Sequence, residues 1–119
     1  MDPRRRGVFL AGLAALLLPA AAAAHHGWGS YDASKTVTVE GRIEASQFEN
    51  PHAMIKVTAA GKTWTIILAP TSRMLARGAP ADLVAVGKMV TAVGYASTAV
   101  PDEMRAERIT VDGKTVEMR

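Results

Sequence analysis

From residue 36 onward the chain alternates apolar and polar positions. In TVTVEGRIE, residues 36–44, Val37, Val39 and Ile43 fall on one side and Glu40, Arg42 and Glu44 on the other. That period of two predicts a half-buried strand, with Gly41 placed for a bulge or bend. FENPH interrupts the pattern as a turn, because Asn-Pro disfavours continued regular structure. AMIKVTA, residues 53–59, predicts a second strand with Ile55 and Val57 on one face. Ala60-Gly61 then turns into KTWTIILA, where Trp64, Ile66 and Leu68 share a face. The β-branched content favours strand over helix in both segments. PTSRMLARG predicts a helix, with Thr71 or Ser72 as cap, Met74, Leu75 and Ala76 as helix formers and Gly78 as the stop. APADLV adds a turn begun by Pro80, and VGKMVTAVGYAS is a fourth strand after a Gly87-Lys88 turn. The last block, MRAERITVDGKTVEMR, reads as a strand, an Asp112-Gly113 hairpin turn and a short return strand.

Three strands, a helix, then strands again predict an all-β domain. Consecutive strands joined by tight turns pair antiparallel, and a small sheet hides its edges best by closing. A small OB-like five-stranded barrel, with one short helix between strands three and four, fits this order. A half-open roll with one covering helix is the other arrangement compatible with it. The alternation sends Trp64, Ile66 and Leu68 into one core with Val37, Val39, Ile43, Ile55, Val57, Val90, Ile109 and Val111.

The first two dozen residues follow a different rule. Arg4, Arg5 and Arg6 precede a short apolar stretch from Val8 to Leu18, Pro19 and a run of alanines. This is the pattern of a cleaved export signal over residues 1–24; a spanning helix needs ~20 predominantly apolar residues. Arg5-Arg6-Gly7-Val8-Phe9 resembles the twin-arginine motif, and the general secretory route fits equally. The expected division is therefore a signal at 1–24, a leader at 25–35 and the barrel domain at 36–119, in the periplasm and without a stable membrane anchor. The sequence has no cysteine, so neither a lipoprotein anchor nor a disulfide is available. Removing the signal takes three arginines and one aspartate from a chain of net charge +3. The near-neutral remainder lacks the basic surface that neutralises phosphates, and nucleic acid is excluded as a partner.

Four blocks together, HHGWGSYD, ENPHAMIKV, LAPTSRMLARG and EMRAERITVDGKTVEMR, resemble a family of small exported bacterial proteins of unknown function. The resemblance covers the whole mature chain. It implies a periplasmic location and brings no activity with it.

The candidate chemistry is sparse. Cleavage after Ala24 leaves His25 as the new terminus, and cleavage after Ala23 leaves Ala24-His25-His26. Both products chelate, through the amine with imidazole or with deprotonated amides, and square nitrogen coordination suits Cu(II). His52, in the turn after the first strand, is a further candidate ligand. A polar leader without metal explains the same pair, since termini are commonly mobile. Asn50 and His52 also make sense as turn formers. Trp28 and Tyr31 either plug one mouth of the barrel or stack on a ligand. Arg73 and Arg105, with Arg77 and Arg108, gather into an anion site if the helix and last strands are neighbours; otherwise they pair with Glu103 and Glu107 on a solvated face. The methionines are scattered singly, as gap fillers are, and Ser30 in GWGSY does not sit in a nucleophile elbow.

The reading that follows is a non-enzymatic periplasmic binding or accessory protein, with copper at His25, His26 and His52 as one version. A module that binds a protein or small ligand without metal is the second, and a hydrolase is the remaining class. Intact mass of the exported protein should place its first residue at Ala24 or His25; full-length chain in the membrane fraction would contradict the cleavable signal.

Overall fold

A computed structural model describes residues 27–119. A 3-10 turn over Trp28–Ser30 lies outside the compact unit formed by Tyr31–Arg119. That unit is mostly β. Its strands are β1 (Tyr31–Gln47), β2 (Met54–Ala59), β3 (Lys62–Ile67), β4 (Met89–Ser97), β5 (Glu103–Val111) and β6 (Lys114–Glu117). Between β3 and β4 lie a short helix, α1 (Thr71–Ala76), and a 3-10 turn, Ala81–Val84. Among the described residues no helix is long and apolar enough to cross a membrane.

The sheet order is β3-β2-β1-β4-β5-β6, with an added pairing of β3 to β5. Every pair is antiparallel except β3–β5, which is parallel. The pairings therefore run in a ring through β1, β2, β3, β5 and β4. The sixth strand, β6, is the return arm of the final hairpin and, among the described residues, pairs only with β5.

The long first strand serves two neighbours. Thr36 to Arg42 pair with β4, and Ile43 to Gln47 pair with β2. A register shift between Ile43 and Ala45 marks the change of partner, and such a bulge bends its strand. The bulge thus falls beyond Gly41, where the sequence had suggested one. Gly41 has another use. A Cβ there would stand 2.8 Å from Val57 Cγ1 and 3.0 Å from the Thr58 carbonyl, so its bare backbone lets β2 come close.

The core forms as the alternation requires. Val39, Ile43, Ile55, Val57, Ile66, Leu68, Val90, Ile109 and Val111 are buried, joined by Met74 of α1 and by Met104, Val116 and Met118. Val37 and Trp64 are only half-buried and pack against this cluster. Trp64 sits near the start of β3, where the Lys62 ammonium lies 4.0 Å from its ring centroid, a cation–π contact at the rim of the core. Helix α1 also differs from expectation at its start. Pro70 is the N-cap and, among the described residues, no side chain caps the helix; instead the Thr71 hydroxyl donates to Asn50 Oδ1 at 2.8 Å.

A register shift between β4 and β5 decides where the polar residues go. Across β4–β5, Val93 faces Arg108 but Gly94 faces Ala106, which leaves Glu107 as the extra residue of a bulge. Met104 and Ala106 point inward before it, Ile109 and Val111 after it. Gly94 makes this crossing possible, because a Cβ would collide with the Arg105 carbonyl and stand 2.8 Å from Ala106 Cα. Gly94→Ala should therefore destabilise the domain by about 3 kcal/mol or more, lowering its thermal midpoint by more than ~10 °C. A midpoint within a degree or two of wild type would show that β4 and β5 are further apart than described.

Candidate functional site

Arg105 is the one charged residue among the described residues that is buried, at 7% exposure. It lies between the inward-facing Met104 and Ala106, so strand alternation turns its side chain to the outer side of the sheet. Ile67 of β3 and Tyr95 of β4 are its cross-strand neighbours. Its Nη2 is 3.5 Å from His52 Nε2, a loose contact by hydrogen-bond standards. Burial, above all, lowers the Arg105 pKa; negative charge at Tyr31 works the other way, and Arg73 and Arg119 lower it further by repulsion. A guanidinium remains charged despite this.

Tyr31 and Glu103 form the flank of the cluster, the phenol donating to Glu103 Oε2 at 3.0 Å. Partial burial, then this hydrogen bond and the carboxylate charge, push the Tyr31 pKa up to about 12. Helix α1 supplies the next cation. Arg73 Nη1 donates to the Met118 carbonyl at 3.0 Å, which fixes its stem against the chain end while its charge reaches Arg105. Arg77 instead clasps the carbonyls of Glu117 and Arg119, at 2.7 and 2.9 Å. Arg108 pairs with Glu117 at 3.1 Å on an exposed face.

The four arginines singled out from sequence thus divide. Arg73 lies within electrostatic reach of Arg105, and Arg77 and Arg108 serve the packing of β6. Arg119 was overlooked. Its guanidinium is 3.5 Å from Glu107 Oε2, and the hairpin register, which sets Arg108 opposite Glu117, already brings the residues beyond Glu117 alongside Glu107.

The loop after β1 brings His52 to Arg105. The Asn50-Pro51 peptide is cis, Asn50 accepts the Thr71 hydroxyl, and Ala53 exchanges backbone bonds of 2.9 Å with Leu68 and Ala69. Asn50 therefore anchors the loop. A cavity of about 260 Å³ opens beside it, lined by Gln47, Glu49, Asn50, Pro51, His52, Met54 and Ile67. A neighbouring cavity of similar size shares Gln47 and Met54 with it.

Trp28 belongs to the 3-10 turn Trp28–Ser30. His25 and His26 lie outside the described residues. Among the described residues, no three His, Cys, Asp or Glu side chains gather to hold a metal ion.

What the fold and this cluster define is a small, mostly β domain with a buried arginine against His52, a residue that lines a cavity. Residues 14–117 match the model described as Family of unknown function (DUF6152), and the chain belongs to that family. No curated protein matches the chain.

Tyr31 offers a direct check on the cluster. A phenol whose folded pKa lies above its ordinary value stabilises the fold fully below pH ~10. That contribution should disappear as the pH rises from there through about 12. Phenolate absorbance should show one tyrosine titrating near that upper value, absent in Tyr31→Phe and shifted down in Glu103→Gln. A Tyr31 titration at the ordinary value would place its hydroxyl away from Glu103.

Proposed function

We propose that this chain is an exported, non-enzymatic binding module that holds a small ligand where the loop after β1 meets β2 and β3. The observation that carries the reading is Arg105, a nearly buried cation set against His52, which lines the cavity. Burying a charge costs several kcal/mol, and apolar side chains of the same volume commonly serve stability as well or better. A buried arginine beside a cavity is therefore better explained by recognition than by packing.

Three further features support it. The ring of pairings with a parallel β3–β5 contact and a helix between β3 and β4 supports reading the domain as an OB-like barrel, a fold in which strands two and three and the loop between strands one and two bind ligands. The cavity is lined by that loop, by Met54 of β2 and by Ile67 of β3. A fold likeness alone carries no function, and here the site chemistry adds to it. Tyr31, pushed up to about 12, and a permanently charged arginine are poor proton-transfer groups near neutral pH, so these two residues suit binding. Export is supported by Arg4, Arg5 and Arg6 ahead of a short apolar stretch and small residues, and the near-neutral mature composition disfavours nucleic acid.

Thermal unfolding of the processed protein against a panel of small acids, amides, amines and Cu(II) tests the reading. At a hundredfold excess over its dissociation constant, a ligand should add about 2.7 kcal/mol of stability. The same ligand should lose its effect on Ile67→Trp, which fills the cavity. A panel without any such ligand would refute the proposal. A response to Cu(II) alone, lost when the terminal amine is blocked, would move the function to His25 and His26.

A further inference from the structure

We infer that the two adjoining cavities form one trough along the β1–β2 ladder, and that it binds a short peptide by both charged ends. The inference rests on the binding reading above and names the ligand class.

The register makes the trough continuous. Gln47 pairs with Met54 and Ala45 with Lys56, so alternation sets these four side chains on one face. Ile55 and Val57 are buried on the other. The cavity beside the loop and its neighbour meet at Gln47 and Met54, which line both. The bulge between Ile43 and Ala45 comes just before this stretch and bends β1 where the trough begins. From Lys56 the trough runs past Met54 to the loop that carries Glu49 and His52.

The two ends carry opposite charges. Lys56 lines one cavity and Glu49 the other, and both are exposed. Among the described residues neither side chain has an ion pair or a hydrogen bond. Across the strands Lys56 faces Ala45 and Thr65, so the sheet sets no carboxylate opposite it. Between the ends, Gln47 brings an amide that both donates and accepts, and Met54, Ile55 and Ile67 supply apolar wall. An extended peptide has the complementary order: an ammonium for Glu49, amides and an apolar side chain for the middle, a carboxylate for Lys56. A dicarboxylate would set one charge against Glu49, and a diamine would set one against Lys56. Length agrees with a tripeptide. Ala45, which marks the Lys56 position, is at most ~14 Å along the chain from Glu49, and an extended tripeptide spans ~10 Å. The two side chains cover the difference. Each cavity of about 260 Å³ holds roughly eight groups the size of a water molecule, so a tripeptide occupies both.

The test is an NMR titration of isotope-labelled, processed protein with the peptide Ala-Leu-Ala at low salt, where exposed charges are least screened. The free peptide should move the Gln47, Met54 and Lys56 signals together and saturably. Acetylating its amine should weaken binding about threefold, and amidating its carboxyl should do the same, as expected for exposed ion pairs. Glu49→Gln should abolish the effect of acetylation alone, and Lys56→Gln the effect of amidation alone. Both residues are exposed, so the variants keep the fold. Blocked peptides that bind as tightly as the free one would overturn the assignment of the ends and leave the binding role standing. Free leucine that moves the same signals with equal affinity would overturn the span of two cavities. Signals unmoved by Ala-Leu-Ala, while a compound of the stability panel binds, would overturn this inference alone. Silence in both experiments would overturn the binding role as well.

Discussion

The parallel contact between β3 and β5 is the constraint on which the rest of the structure depends. It consists of three register pairs, Thr65 with Glu103, Ile66 with Met104 and Ile67 with Arg105, reinforced by the Thr65 amide donating to the Asp102 carbonyl at 2.8 Å. Without it β3 and β5 would be separate strands of an open sheet, and Ile66 and Met104 would not share a core. The contact also sets Arg105 beside Ile67, and hence beside the cavity. Parallel pairs between segments far apart in sequence close late in folding because the loop entropy precedes the reward. In this chain the cost is offset by the buried Ile66 and Met104 at the centre of the contact.

Two bulges adapt the strands to that closure. The one near Ala45 lets β1 leave β4 and join β2, which is how a single strand of 17 residues serves both. The one at Glu107 reverses the phase of β5, so that Met104 and Ala106 face the core on one side of it and Ile109 and Val111 on the other. Gly41 and Gly94 are the complementary features, each allowing a backbone to approach where a Cβ would meet its neighbour. The polar cluster follows from this arrangement. Arg105 is turned outward by alternation yet covered by what surrounds it, a position that favours recognition over solvation.

The surroundings are held by short polar ties more than by regular structure. Thr71 anchors Asn50, while Ala53 bonds to Leu68 and Ala69; together they set the loop that carries His52. Arg73 and Arg77 fasten α1 to the carbonyls of the chain end. The helix is six residues long, too short to be stable alone, and Met74 buried beneath it supplies the packing that keeps it folded.

Local order was decided by the sequence alone. Period-two alternation placed the strands, the Asn-Pro, Ala-Gly and Asp-Gly pairs placed turns, and PTSRMLARG placed the helix, because each depends on residues a few positions apart. The inward set followed from the same alternation, with Val37 and Trp64 as the exceptions. Their exposure depends on how far each strand extends past its neighbours, a property of register that no single strand encodes. Only the tertiary structure decided that Thr71 would tie down Asn50 instead of capping its helix, and that Arg73 would come within electrostatic reach of Arg105 while Arg77 and Arg108 bonded to β6. It alone paired β3 with β5 and located the bulges. These are contacts between segments tens of residues apart, fixed by which backbone edges and side-chain volumes fit together once the ring of pairings closes.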